Sequence, residues 1–431
     1  MRLSKPRRIS TKDLLKKVFD FIHNNKDYKS LCESDTNFTR KNKLTFSSVA
    51  LTILHLFKES NEFNLATFLP SIGCAAVKGP AFSMARYKIR LSFFLELNEL
   101  LTNHIKTLNP KLWNGYRLIA GDGTTVNLPP SKQIKNHFGV FCKSNTGTST
   151  CLANACMFYD VLSNFILDSI ISPVSIGEVS LLNTMLTKAD YSNSILLLDR
   201  GFGSFSVCKS CINRGLNFCI RLKTANLDFA KYVLREDSTD FITTWKPSEM
   251  ERSTCRKHAV DIKEITVRVT KIVLDSGEVE LLVSNLFNQK TIDEASMKKL
   301  YAMRWGIEEG FKKLKPTMKL EQFGSRRYEG IYQEFYAHTF MMNMVGIIRR
   351  EAEPLIEKKT QGRKHQYKYN WKNAFLFVRE RFADLFYKAK FTTSLLTLIG
   401  QISESIVAIK NNRSFLRHKG TDKSRSTQCY K

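Results

Sequence analysis

The chain has 431 residues and carries 67 Lys and Arg against 40 Asp and Glu, a formal net charge of +27. This excess of positive charge favours a polyanionic partner, and nucleic acid is the first candidate. No apolar run reaches the ~18 residues of a membrane-spanning helix, and no apolar segment follows the basic N-terminus as it does in a secretory signal. We therefore expect a cytoplasmic, nucleoid-associated protein without a membrane partner.

The first 110 residues predict a small all-α domain. Apolar residues recur with helical spacing after Ser10, and further apolar helices are predicted at 46–57 and 84–101. The start of this region is basic, which favours contact with DNA. We assign residues 1–110 to a helical N-terminal DNA-binding domain.

From residue 116 the pattern changes to strands, and the predicted order of elements up to residue 222 is βββαβαβ. This order is typical of a mixed sheet with helices on its faces. Alternating polar and apolar residues around Asp275-Ser-Gly277 predict a hairpin within an inserted β subdomain. We assign residues 111–223 and 297–350 to one α/β domain, 224–296 to a β-rich insertion, and 351–431 to a basic helical C-terminal region and tail.

Two acids in the predicted sheet have unusual surroundings. Asp122 follows Leu-Ile-Ala-Gly and Asp199 follows Ile-Leu-Leu-Leu, so each lies at or near a buried strand. A buried carboxylate is unfavourable unless it is paired, hydrogen-bonded or bound to a metal. Taken singly, each acid also fits a structural role in a turn or a cap.

A helix predicted near residue 300 carries a third acid among cations. At about 100° per residue, Tyr301, Arg304, Glu308 and Lys315 fall within a strip of roughly 80° beside an apolar stripe. Phosphodiester chemistry uses this combination, with a carboxylate for a divalent metal and cations for phosphate oxygens. The alternative is a solvated helix face on which Arg304 pairs with Glu308. Glu309 points away from the strip and is interpreted as solvated.

The spacing Tyr301-x2-Arg304-x3-Glu308-x6-Lys315 resembles the YREK signature of the DDE transposases of bacterial insertion sequences, in the family numbered four. Two further blocks resemble the same family, namely Asp122-Gly-Thr-Thr-Val-Asn-Leu-Pro and Leu-Leu-Leu-Asp199-Arg-Gly-Phe. The order of the three acids also matches, with an insertion before the last. The resemblance extends from about residue 80 to about residue 350.

The resemblance implies a ribonuclease H-like catalytic core, formed by the α/β domain. It implies that two Mg²⁺ or Mn²⁺ ions are held by the catalytic residues Asp122, Asp199 and Glu308. It also implies contacts with DNA phosphates by Tyr301, Arg304 and Lys315.

The activity implied by the resemblance is cut-and-paste transposition, with end nicking, strand transfer and a hairpin intermediate. The partners are double-stranded DNA, as terminal inverted repeats and target, and a second copy of the chain in a homodimer. A base displaced by hairpin formation needs an aromatic ring to stack on, and Trp305 and Trp245 are the candidates. Two alternatives remain open, a non-catalytic DNA-binding protein derived from a transposase and a simple ribonuclease H-like endonuclease.

Overall fold

The computed structural model describes residues 10–24, 28–40, 43–55, 60–142, 149–188, 191–225, 227–274 and 277–409. The chain divides into two compact units. The first contains Met1–Asn109, Asn127–Leu152 and Lys312–Lys431, and the second contains Pro110–Val126 and Ala153–Phe311. The basic N-terminus, the tail from Asn412 and two residues of the predicted hairpin, Asp275 and Ser276, lie outside the described residues.

The region before residue 110 is helical, as predicted. Ser10 caps the first helix by accepting a hydrogen bond from the Asp13 backbone, and Thr45 and Ser48 cap the second reciprocally. A short 3₁₀ helix spans Tyr28–Leu31. The α-helices are α1 (Thr11–His23), α2 (Phe46–Leu54), α3 (Asn61–Ser71), α4 (Gly79–Arg86) and α5 (Leu91–Thr107).

The central region alternates strands and helices. Its first half contains β1 (Arg117–Leu128), α6 (Lys132–Phe138), β2 (Phe141–Cys142), β3 (Ser149–Asp160), β4 (Phe165–Pro173), α7 (Glu178–Leu186) and β5 (Ser194–Leu198). Its second half contains α8 (Phe205–Asn213), β6 (Asn217–Leu222), α9 (Asp228–Arg235), β7 (Asp240–Trp245), α10 (Glu249–Lys257), β8 (Ile265–Val273) and β9 (Val279–Ser284).

The last region is helical apart from one short strand pair. It contains α11 (Glu294–Ala302), a 3₁₀ turn (Met303–Trp305), α12 (Gly306–Lys312), a π-helical turn (Lys313–Thr317) and α13 (Tyr328–Thr360). These are followed by β10 (Tyr367–Tyr369), α14 (Trp371–Glu380), α15 (Phe382–Phe386), α16 (Phe391–Glu404) and β11 (Ile406–Ala408).

The described strands form a nine-stranded mixed sheet with the order β2-β3-β1-β5-β6-β9-β8-β7, and β4 pairs with β3. β1, β5 and β6 are parallel, whereas β9, β8 and β7 continue the sheet with antiparallel pairing. The strands of the predicted insertion therefore extend this sheet. The mixed sheet with flanking helices and the helical N-terminal region confirm the predicted ribonuclease H-like fold class.

The core of the second unit lies against the sheet. β5 is buried along its whole length, which its run of Ile and Leu predicts. Trp245 is fully buried and stacks on Phe229 with 4.3 Å between ring centroids and 5° between ring planes. The suggestion that Trp245 holds a displaced base is therefore wrong, because its ring faces are packed inside the protein.

The first unit is organised around the long helix α13, which packs against α2, α5 and α16. Its segment 335–348 is buried. Arg86 of α4 is also buried and pairs with Glu334 at 2.9 Å. No helix among the described residues is long and apolar enough to cross a membrane.

The segment 300–315 is not one regular helix. The prediction that Tyr301, Arg304, Glu308 and Lys315 lie on one strip of a regular helix is therefore wrong. Gly306 and Gly310 weaken the helix, and both lie close to other residues: an added Cβ would be 3.0 Å from Val161 and 3.2 Å from Met157, respectively. Pro316, which lacks a backbone N–H, lies in the π-helical turn. The segment changes helix type three times, from α to 3₁₀ after Ala302, back to α at Gly306, and to π at Lys313.

Candidate active site

The first two acids are brought together by strand register. β1 and β5 are parallel neighbours, and Gly121 is aligned with Leu198. Asp122 and Asp199 each follow one member of that pair, so they occupy adjacent positions at the end of β5. The Asp199 carboxylate is oriented by the backbone N–H of Gly201, which donates to Oδ1 at 2.7 Å.

The third acid is joined to the first by a guanidinium. Arg304 lies 3.7 Å from Asp122 Oδ2 through Nη1 and 3.6 Å from Glu308 Oε1 through Nη2. Arg304 is buried, whereas Glu308 is partly exposed. Arg304 thus pairs with Glu308, as the alternative of a helix face with an Arg304–Glu308 ion pair predicts. The same guanidinium also pairs with Asp122.

The surroundings of Asp122 disfavour its charged form. Burial raises the pKa of the Asp122 carboxyl to about 6, and the neighbouring Asp199 acts in the same direction. The guanidinium of Arg304 and the backbone N–H of Gly123, which donates at 2.8 Å, oppose this shift in pKa. The carboxyl is thus held in a partly desolvated place where a cation would be favourable.

A fourth acid, Glu178, lies beside this group and was missed in the sequence. It is the first residue of α7, and its carboxyl lies against the backbone of Gly123. Burial and the charge of Asp199 raise the pKa of Glu178. A lone Glu after Gly177 at a predicted helix start is an ordinary capping pattern, so the sequence contains no signal for this position.

The other residues of the predicted signature have different surroundings. Tyr301 is buried, its pKa is raised by burial, and its ring centroid lies 5.9 Å from the Arg304 guanidinium. Trp305 is 47% exposed, with its ring centroid 5.1 Å from the same guanidinium. Lys315 belongs to the first compact unit, where it pairs with Glu321 at 3.7 Å. Contacts of Tyr301, Arg304, Lys315 and Trp305 with DNA remain predictions.

The donor set has the chemistry that Mg²⁺ or Mn²⁺ requires, namely hard carboxylate oxygens on a sheet end and a helix. Among the described residues, no group of three or more His, Cys, Asp or Glu side chains is arranged so that it could hold a metal ion. Instead, one cationic group, the Arg304 guanidinium, lies between two of the carboxylates. The residue types suit a divalent cation, and Arg304 supplies positive charge between Asp122 and Glu308.

A basic cavity of about 580 Å³ opens beside the second acid. Arg200, which directly follows Asp199, and Lys223, which directly follows β6, line it, and both are exposed. Arg221 also lines it and is held by Glu278 at 3.1 Å and Glu280 at 2.7 Å. Neither Arg200 nor Lys223 pairs with an acid in the part of the chain that the structure describes.

Residues 113–344, more than half of the chain, match the family described as the transposase DDE domain. The chain belongs to this family. The match contains Asp122, Asp199 and Glu308, and it confirms the predicted resemblance to DDE transposases at family level. The narrower assignment to bacterial insertion sequences of family four remains a prediction.

The fold of this DDE transposase is similar to that of a solved structure, the piggyBac transposase in a synaptic complex with hairpin DNA. The TM-score is 0.50 at 11% sequence identity, and the alignment covers 98% of this chain and 90% of that chain. At this identity the likeness shows the fold alone. No curated protein matches the sequence.

Proposed function

We propose that this DDE transposase carries out metal-dependent cut-and-paste transposition of a bacterial insertion sequence with the YREK signature. The observation that carries the proposal is the single guanidinium of Arg304 between Asp122 and Glu308, with Asp199 aligned beside Asp122. Three acids from two strands and a helix thus converge where the family places its chemistry. A protein that only binds DNA has no need of this convergence.

Each side chain then has a role in phosphodiester chemistry. Asp122, Asp199 and Glu308 would hold two Mg²⁺ or Mn²⁺ ions, which when bound would supply Lewis-acid stabilisation of the entering and leaving oxygens. The guanidinium of Arg304, which lies between Asp122 and Glu308, would bind phosphate oxygens of the substrate in a bidentate manner. The exposed ring of Trp305 lies beside this guanidinium and can stack on a displaced base.

The substrate in this proposal is double-stranded DNA, as the terminal inverted repeats of the element and as target, with two copies of the chain holding paired ends. The net charge of +27 and the exposed cations Arg200 and Lys223 of the basic cavity support a polyanionic substrate. Because Arg200 follows Asp199 directly, the basic cavity is well placed to hold phosphates of the strand that passes the acids.

The first prediction concerns how the affinity for DNA depends on salt concentration. We expect the double variant Arg200→Ala/Lys223→Ala to bind DNA more weakly, and the slope of log affinity against log salt to become shallower by about 2, since each lost phosphate contact removes about 0.9. Fluorescence anisotropy of a labelled end fragment at several salt concentrations measures this. The control is Lys257→Ala/Lys263→Ala, two exposed cations of the same unit that do not line the cavity. Equal slopes for both double variants would argue against a phosphate site in the cavity.

The proposed mechanism also predicts a hairpin at the element end. With Mg²⁺, end fragments should give a product that migrates slowly on denaturing gels, and Trp305→Ala should reduce its amount about tenfold, because a stacked base contributes roughly 1–3 kcal/mol. Trp371, which stacks on Phe375 in the first unit, provides a control, Trp371→Ala. Double-strand breaks without a hairpin would refute this intermediate. Cleavage without any joining to target DNA would indicate a nuclease instead of a transposase.

A further inference from the structure

The Glu178 carboxyl occupies the space where a side chain at position 123 would otherwise lie. A Cβ added to Gly123 would lie 2.3 Å from both Cδ and Oε1 of Glu178, which is closer than real atoms approach. Gly123 directly follows Asp122 in β1. Glycine at this position therefore allows the Glu178 carboxyl to reach the backbone next to the first catalytic acid.

The charges around Glu178 are unfavourable for it. It is partly buried, and the charged groups that act on it or are acted on by it are Asp199 and Asp122, which have the same sign. Within the ranges that the structure describes, its carboxylate has no cation or hydrogen-bond donor from a side chain. Arg304 is engaged by Asp122 and Glu308. The guanidinium therefore contacts two of the four carboxylates, and the groups that act on Glu178 itself are acids.

A helix start alone accounts for only part of this arrangement. A Glu in the first turn of a helix gains typically 0.3–1 kcal/mol from the helix dipole. Glu249 in the first turn of α10 gains the same but remains exposed and pairs with Arg256 at 3.5 Å. Glu178 instead lies beside two like charges, a position that becomes favourable when a cation binds among them.

We propose that Glu178 is a fourth carboxylate ligand of the divalent-metal site, acting with Asp122 and Asp199. This inference rests on the proposed function, because it assumes that the site takes Mg²⁺ or Mn²⁺. Two such ions use more oxygen ligands than three carboxylates supply, and the remaining positions are taken by water and phosphate. Glu178 would provide one protein ligand from α7, whereas Glu308 would provide one from α12.

Metal binding can be measured without DNA or catalysis. Isothermal titration of the full chain with Mn²⁺ should show affinity lowered about ten- to hundredfold in Glu178→Gln, a size typical of losing one supporting group at a metal site. Glu249→Gln is the matched control, since it removes a first-turn Glu from another helix, and it should bind Mn²⁺ as the unaltered chain does. Unchanged Mn²⁺ affinity and stoichiometry in Glu178→Gln would overturn the inference.

A second measurement needs no variant. With Fe²⁺ in place of Mg²⁺ and with ascorbate and peroxide, hydroxyl radicals cut the backbone near the bound ion, and we expect fragments that end near residues 122, 178 and 199. Cuts near 122 and 199 without one near 178 would also overturn the role of Glu178. If the unaltered chain shows no saturable Mn²⁺ binding, the proposed function itself fails. If it binds Mn²⁺ and Glu178→Gln binds equally well, only the present inference fails.

Discussion

Asp122→Asn, Asp199→Asn and Glu308→Gln are each expected to lower metal-dependent cleavage of an element end by about a thousandfold, equivalent to ~4 kcal/mol of transition-state stabilisation. A neutral amide fills the same volume as the carboxylate but is a poor ligand for a divalent cation. Binding of the end fragment should change by no more than a few fold. Gel-shift and cleavage assays on one labelled fragment measure both quantities.

The matched control is Glu309→Gln. Glu309 is adjacent to Glu308, has the same side chain and is exposed, so its variant should cleave at close to the original rate. Full cleavage by any one of the three acid variants would remove that acid from the site. Loss of both end binding and cleavage would indicate instead that the substitution disturbs the fold.

Trp245→Ala is expected to lower the free energy of unfolding by about 3–5 kcal/mol, the usual range for truncating a fully buried Trp. The indole packs face to face with Phe229 and edge to face with Phe205, whose ring centroid is 5.7 Å away, so truncation leaves a cavity among aromatic rings. Chemical denaturation of the full chain, followed by circular dichroism, measures the change.

Trp305→Ala is the comparison for this variant. Trp305 is 47% exposed, so its truncation should change the free energy of unfolding by less than about 1 kcal/mol, as for most surface substitutions. Trp245→Ala should thus affect mainly stability, whereas Trp305→Ala should affect mainly DNA processing. A comparable loss of stability in both variants would contradict the burial on which this separation rests.

The sheet could be predicted from local pattern because its strands are short apolar runs. The run of Ile and Leu that precedes Asp199 forms β5, which is buried along its whole length. The two Asp residues could be found for the same reason, since an acid at the end of an apolar run is conspicuous. The parallel alignment of β1 with β5 then brings them together.

The remaining features depend on contacts between distant parts of the chain. Arg86 is buried by Glu334, which is 248 residues away, and no local pattern indicates that pair. Gly306 lies beside Val161, and Gly123 leaves room for the Glu178 carboxyl; both pairs are distant in sequence. The periodicity of a sequence predicts each helix or strand separately. It cannot show which other helix or strand packs against that element.

The position of Arg304 also affects how the chain can fold. Gathering several acids at the end of a sheet produces electrostatic repulsion, which grows as water is excluded from around them. An arginine that forms part of the same segment as Glu308 relieves this repulsion at Asp122 and Glu308 as the helix docks. The polypeptide therefore carries within one short segment both an acid of this group and the cation that offsets part of the group's repulsion.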